Sequence, residues 1–463
     1  MDSKSTKFKS VDSSIEFVPH KYQAEAVLHC IGHKKAGLFL DPGLGKTAIC
    51  LKTASTLLEY KGIDRIFVIA PLRVCHNVWP SEAKKWRMST HFKVTVLHGP
   101  KKDDLIEKES DMFVINPEGL DWFSIASKRL MKNGDKRLLI VDESTSFKNC
   151  TSKRFKTLKK LLPYFDRVII LTGTPVPNGL LQLWSQMYLL DFGARLSKYM
   201  THYRNTYFYP ADYMGFSYKL QPGAEARIYG KINDIVMHKS TNELELPPVV
   251  YNDISVVLSK KVKDLYDEMR KELALEFAQG LTISANAAVL TGKLRQISNG
   301  GLYTEDGEII DIHDEKTDVI KDLVEELSGK PLLVMYEFRH DLHRLQRAFP
   351  KAPYIGAGVS PKEVTDIIAG WNRGDTPVLF LQPQAGGHGL NLQYGGCGDI
   401  AWYGMNYDLE LYKQANARVH RQGVKHTVVI HHLIAKGTVD EKIRLVLAGK
   451  DKVQNALLEA LLK

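Results

Sequence analysis

Two α/β lobes, each built on a parallel sheet and separated by a helical middle, are the architecture this 463-residue sequence predicts. Three observations carry that prediction. Short apolar runs rich in β-branched residues recur through the first half, with helix-length segments between most of them. The pattern breaks near residue 196, and a second series of such runs begins at residue 331. Strands alternating with helices imply a parallel sheet covered on both faces, and short continuous apolar runs suit strands buried on both sides.

In the first series the strand candidates are AGLFL (36–40), RIFVIA (65–70), KVTVL (93–97), MFVI (112–115), LLIV (138–141) and RVIILT (167–172). Segments 46–59, 74–86 and 151–162 supply helices between them. An aromatic-rich stretch then runs from Tyr199 to Tyr218, and ELELPPVV (243–250) marks a proline break. KKVKDLYDEMRKELALEFAQ (260–279) and TDVIKDLVEEL (317–327) have helical period. The second series is PLLVMY (331–336), PVLFL (377–381), DIAWY (399–403) and TVVIHHLIA (427–435). Segment 438–462 alternates apolar and charged residues at helical spacing and is expected to brace the two lobes. The expected organisation is an N-terminal lobe over 1–195, aromatic and helical insertions over 196–314, a C-terminal lobe over 315–437 and a brace over 438–463.

Composition excludes several classes. The length exceeds what one core supports. No stretch approaches the ~20 apolar residues of a membrane-spanning helix, and MDSKSTKFKS at the start lacks the apolar run of a signal peptide. Five dispersed cysteines offer no paired spacing for zinc or a disulfide framework. They suit a reducing compartment, so a cytoplasmic location is expected. A net charge of +10 is compatible with a polyanionic partner.

LFLDPGLGKTAIC (38–50) reads as a buried strand, a glycine turn and a helix start. Gly43 and Gly45 let the backbone N–H groups of Leu44, Gly45 and Ala48 curl toward phosphate oxygens at a helix N-terminus. Lys46 would reach the β- and γ-phosphates and Thr47 would hold Mg²⁺. The first glycine of the usual G-x-x-x-x-G-K-[ST] pattern is Leu40 here. Kinases, transporters, GTPases and helicase-like motors all own such a loop. LLIVDESTSFKN (138–149) adds Asp142 and Glu143 at the end of a buried strand. Asp142 would complete the Mg²⁺ shell, and Glu143 would orient and deprotonate a water. Arg418 and Arg421 stand at i, i+3 spacing, which on a helix would place them on one face.

The order of segments resembles the Swi/Snf-type DNA translocases of helicase superfamily 2. HKYQAEAV (20–27) is similar to the family's Q-motif, and IAPLRVCHNVWPSEAKKW (69–86) matches W-x-x-E-x-x-K-W at Trp79, Glu82, Lys85 and Trp86. LTGTPVPNGLLQLW (171–184), LRQISNG (294–300), QAGGHGLNLQ (384–393) and QANARVHRQG (414–423) resemble its later motifs. The resemblance implies two RecA-like lobes hydrolysing ATP with Mg²⁺ between them. Lys46, Glu143, Arg418 and Arg421 would be catalytic, the arginines as fingers delivered across the cleft. Gln23, Gly389 and Gln414 would join the loop in holding nucleotide, with Gln23 reading adenine. Arg73, Thr172, Gly173, Asn178, Gly386, Gly387 and Asn391 would touch nucleic acid.

Two departures from the family pattern stand out. Asp142-Glu143-Ser144-Thr145 replaces the usual Asp-Glu-Ala-His, and Gln382-Pro383-Gln384 replaces Ser-Thr-Arg. The form DPGLGKT looks like compact bacteriophage-encoded versions, which implies host cytoplasm as the location. The aromatic stretch 199–218 is expected to pack against a lobe, although it could also stack bases. His420, His426, His431 and His432 lack a metal-ligand spacing. The function expected is a DNA-dependent ATPase tracking along duplex DNA, monomeric and without a membrane contact. The alternatives are a strand-separating helicase on forked DNA or RNA, for which single-stranded nucleic acid would be the partner, and a DNA-binding clamp with weak ATPase.

Overall fold

A computed structural model describes residues 14–130, 134–177, 179–211, 218–240, 246–278, 283–386 and 390–460. Its first sheet contains β1 (Lys35–Leu40), β2 (Arg65–Ile69), β3 (Val94–Val96), β4 (Met112–Ile115), β5 (Arg137–Val141) and β6 (Arg167–Thr172). A small antiparallel hairpin, β7 (Phe208–Pro210) and β8 (Tyr218–Leu220), precedes the seventh member, β9 (Val236–Lys239). The strand order is β3-β4-β2-β5-β6-β1-β9, and every pairing is parallel. Successive residues of one strand enter opposite cores. Leu139 and Val141 join one cluster while Leu138 and Ile140 join the other, and Phe67/Ile69 against Ile66/Val68 repeat the split. That two-sided burial is why the strands read as unbroken apolar runs.

The second sheet is built from β10 (Val249–Val256), β13 (Leu332–Met335), β14 (Tyr354–Ile355), β15 (Val378–Leu381), β16 (Asp399–Trp402) and β17 (Val428–Ala435), after the hairpin β11 (Gly301–Tyr303) and β12 (Ile309–Asp311). Its order is β10-β17-β16-β13-β15-β14, again all parallel. Leu333 and Met335 face one core, and Leu332 and Val334 the other. The chain is therefore α/β with two parallel-sheet lobes, as expected.

Stretch 196–314, expected to be insertion, also completes both sheets. β9 pairs with β1, and β10 pairs with β17 over its full length. The aromatic stretch packs inward: Tyr203, Tyr207 and Phe208 are buried in the first lobe's core. Residues 212–217 of that stretch lie outside those described. The expected 74–86 helix is two, α3 (Leu72–Asn77) and α4 (Trp79–Lys85), following α1 (Lys21–Gly32) and α2 (Lys46–Glu59). The helix Val439–Ala460 packs its Val439, Ile443 and Leu447 into the second core and also contacts the helix Ala224–Ile232 of the first lobe.

Candidate active site

In the first sheet, β5 and β1 flank β6, so the turns that follow all three emerge together at the carboxyl edge. In open α/β sheets ligands bind at that edge. After β1 the chain turns through Gly43 (φ 91°) and Gly45 (φ 75°), left-handed conformations that glycine adopts without strain. A Cβ on Gly43 would stand 3.2 Å from Cβ of Arg421, and one on Gly45 would stand 2.7 Å from Nε2 of Gln23. Lys46 and Thr47 then open α2, and the Lys46 ammonium donates to the carbonyls of Leu40 (2.7 Å) and Asp41 (3.3 Å).

After β5 come the two acids. Asp142 is nearly buried; its Oδ2 accepts from the indole N–H of Trp79 (3.0 Å) and its Oδ1 from the N–H of Glu143 (3.1 Å). Burial raises its pKa, against the pull of Lys46 and the Trp79 bond. Glu143 sits at φ 51°, a conformation that costs a non-glycine residue energy and is found most often at functional sites. Burial, aided by the Glu410 and Asp142 carboxylates, pushes its carboxyl well above the ordinary range, while Lys46 and Arg418 pull it down. Its Oε2 is buried and accepts no hydrogen bond. A buried acceptor left open beside a raised carboxyl suits a group that must take a proton from water.

The second lobe completes the cleft. Gln414, Arg418 and Arg421 line the same cavity of about 480 Å³ as Gly43, Lys46, Thr47, Asp142 and Glu143. Contrary to the helical spacing expected of the arginines, the helix ends at Asn416, and both lie in the turns beyond it. They reach the cavity through that turn and not from a shared helical face. Burial and the neighbouring Arg421 lower the Arg418 pKa to about 10, with Glu143 opposing. Arg421 donates to Oδ1 of Asn391 (2.5 Å), and its Nε is buried without a partner. The lobes touch at several points. Arg73 donates to the carbonyl of Ala385, Thr145 to Oε1 of Glu410 (2.6 Å), and Gln422 Nε2 lies 2.8 Å from His20 Nε2.

Several expected roles change place. Gln23 is buried behind the loop, its amide donating to the Leu44 carbonyl (3.3 Å) and its Oε1 accepting from the His20 N–H (3.0 Å). Both ends of its amide are engaged, and through them Gln23 braces the loop. Leu44 is likewise inside, its N–H directed to Asp41. Thr172 is fully buried, its hydroxyl accepting from the Thr174 N–H, which removes it from any nucleic-acid surface. Gly173 abuts Pro42 of the loop, where a Cβ would meet Pro42 Cδ at 2.7 Å. Asn391 lines the same cavity as the phosphate loop and the arginines. Ala48 lies in the first turn of α2 and lines the cavity. Arg73 is exposed at the seam, beside the Pro383–Gly386 helix that holds Gly386. Asn178, Gly387 and Gly389 lie outside the described residues.

Two residues without an expected role stand next to the acids. Trp79 holds Asp142; the W-x-x-E-x-x-K-W match marks its position in the sequence but not its bond to the acid. Glu410 lies four residues before Gln414 on one helix. That i, i+4 spacing is a signal that could have found it. The histidines are engaged elsewhere: His420 faces the Pro247 carbonyl, His426 that of Cys397, His431 the Asp399 carboxylate, and His432 that of Asp253.

The donor set suits a nucleoside triphosphate: a glycine cradle, a lysine, two buried acids with an open acceptor, and arginines opposite. Such a fold and cleft define a two-lobed ATPase of helicase superfamily 2. The family model for the SNF2-related domain matches residues 22–301, and that for the helicase conserved C-terminal domain matches residues 315–423. The chain belongs to the SNF2-related family. It is 32% identical to protein p41 of Acyrthosiphon pisum secondary endosymbiont phage 1, over 96% of this chain and 99% of that one. It is 26% identical to an uncharacterised ATP-dependent helicase of Mycoplasma pneumoniae over 94% of its length, but spans only 42% of that protein. The SWI2/SNF2 ATPase core of Sulfolobus solfataricus in complex with dsDNA aligns with a TM-score of 0.45 at 21% identity, over 97% of this chain and 96% of that one. The chain is thus an ATP-using member of a helicase and translocase family.

Proposed function

We propose that this ATPase is stimulated by duplex DNA and tracks along it, closing its lobes on ATP and reopening after hydrolysis. One observation carries the reading: Arg418 and Arg421 of the second lobe line the same cavity as Lys46, Asp142 and Glu143 of the first. A site divided between two lobes is complete only when they meet, so hydrolysis and lobe movement are one event. A clamp with weak ATPase has no need of both halves. Thr47 and Asp142 would hold Mg²⁺, which would neutralise charge on the phosphates. Gly43, Gly45, Lys46 and Ala48 would hold those phosphates. Glu143 would accept the proton of the attacking water, and the arginines would face the charge that develops at the γ-phosphate. Asn391 fixes Arg421 for that task, and Gln414 would line the approach.

Duplex DNA is the partner that family membership and the net charge of +10 favour. Arg73, exposed at the seam, would touch it together with Gly386. No described helix is long and apolar enough to cross a membrane, and a monomer working in host cytoplasm fits the phage relative. Steady-state ATPase rates without nucleic acid and with single-stranded DNA, duplex DNA or RNA test the reading. Duplex DNA should stimulate most, and stimulation should fall steeply as salt rises, because phosphate contacts release counterions. Equal stimulation by RNA would favour the strand-separating alternative.

A further inference from the structure

We propose that Glu410 is a positioning residue that latches the second lobe to the acid-bearing turn of the first through Thr145. The proposal rests on the reading of the cleft as the ATPase site. The turn Ser144–Phe147 follows Glu143 directly and is hydrogen-bonded within its own lobe. Ser144 donates to Oε1 of Gln186 (2.8 Å), and the Lys148 N–H returns to the Thr145 carbonyl (3.1 Å). Thr145 itself is buried, and its hydroxyl donates across the seam to Glu410 Oε1 at 2.6 Å. The same oxygen accepts from Gln414 Nε2 (3.4 Å) one helical turn later. Gln414 in turn lines the cavity with Arg418.

The result is a polar path from the turn that follows Asp142 and Glu143 to Gln414, four residues before Arg418. A second cavity of about 520 Å³, lined by Glu143, Thr145, Glu410 and Gln414, adjoins the first and shares Glu143 and Gln414 with it. The latch therefore stands where the two cavities meet. Reach explains the residue choice. The family's usual histidine at position 145 is longer than threonine, and a hydroxyl needs its partner to come to it. Glutamate supplies that length from the opposite lobe, and a hydroxyl–carboxylate bond is of the stronger, charge-assisted kind. The bond spans the seam with the lobes as they stand, so its loss on opening would report closure to the catalytic turn.

The test is a double-mutant cycle on the full chain with Thr145→Val, Glu410→Leu, which removes the acceptor, and the pair, measuring kcat and KM for ATP with and without duplex DNA. Each single change should lower the stimulated kcat about tenfold, the scale of one lost hydrogen bond to a charged acceptor. KM should stay within about twofold, because the bond acts on closure. The pair should cost no more than the worse single change, since both remove one bond. Thr145→Ser, which keeps the hydroxyl, should restore kcat; a merely packing role would not be rescued by the smaller residue. Multiplicative losses, a wild-type kcat in Thr145→Val, or failure of Thr145→Ser to rescue would overturn the latch. Lys46→Ala separates the two readings. If it abolishes turnover while Thr145→Val does not lower it, the latch alone fails; if Lys46→Ala still turns over, the site assignment fails as well.

Discussion

Replacing Trp79 with phenylalanine removes one N–H from the acid cluster and leaves most of the packing. The indole is fully buried among the first lobe's core residues, with its N–H on Asp142 Oδ2 at 3.0 Å. A hydrogen bond to a charged group contributes roughly 1.5–3 kcal/mol. The smaller ring adds a void, at about 24 cal/mol for each Å³ left unfilled. Together these predict a loss of roughly 2–4 kcal/mol in the first lobe's stability at neutral pH. The change has a second signature. Without the indole, Asp142 keeps only the Glu143 N–H at its other oxygen, and its carboxylate is free to turn. If Asp142 holds Mg²⁺, the Mg²⁺ concentration for half-maximal ATPase should rise several-fold while ATP saturation at high Mg²⁺ changes little. Denaturant unfolding followed by tryptophan-independent signals, together with a Mg²⁺ titration of ATPase rate, measures both. A stability loss with unchanged Mg²⁺ dependence would reduce Trp79 to a packing residue. No loss in either would refute the value assigned to the bond.

Further outcomes follow from the same geometry. Glu143→Gln should bind ATP normally yet lose about 10²–10⁴ in turnover, the usual contribution of a positioned base; near wild-type hydrolysis would remove Glu143 from that role. Arg418→Ala and Arg421→Ala should collapse DNA-stimulated kcat while ATP affinity stays within a few-fold, because the phosphate loop belongs to the other lobe. Nucleotide titration beside steady-state kinetics would expose a contrary result as lost binding. His432 gives a pH prediction. Burial lowers its pKa to about 4, against the Asp253 bond, so between that value and the ordinary 6.5 the unfolded chain binds the proton and the folded chain does not. The stability from neutral His432 is therefore complete above about pH 6.5 and is lost as pH falls toward 4, up to roughly 3 kcal/mol. Unfolding midpoints at several pH values should fall more steeply for wild type than for His432→Gln; parallel curves would contradict the assignment.

What was legible in the sequence divides by burial. Strands in the middle of each sheet, such as β2, β5, β13 and β15, are apolar on both faces and read directly from composition. The strands that escaped are edges: β9 is four residues ending in an ion-paired lysine, β10 is mostly exposed, and β14 is two residues long. An edge strand has only one neighbour and needs less apolar surface, so its residues carry a weaker signal. The phosphate loop, acids and arginines read well because their chemistry demands particular residue types. Gln23, Thr172 and Asn391 did not, because a polar residue in a motif can serve the fold or the ligand. Only the occupied amide of Gln23, the buried hydroxyl of Thr172 and the Arg421–Asn391 bond separate the two. Glu410 was hidden for the opposite reason: its meaning depends on a partner 265 positions away in the chain.

The last strand of the first sheet and the first strand of the second are neighbours in sequence. β9 ends at Lys239 and β10 begins at Val249. The chain passes from the outer rim of one sheet to the outer rim of the other over about ten residues, a leash that fully extended would reach no more than roughly 35 Å. Lobe travel is bounded by that length. A break introduced within the leash would leave both sheets with every strand, whereas a break near residue 195 or 314 would strip β9 or β10 from its sheet. The two halves produced as separate chains, cut between Lys239 and Val249, are therefore the pair to mix in search of restored ATPase, and the concentration at which activity returns would measure how strongly the lobes hold each other without their tether.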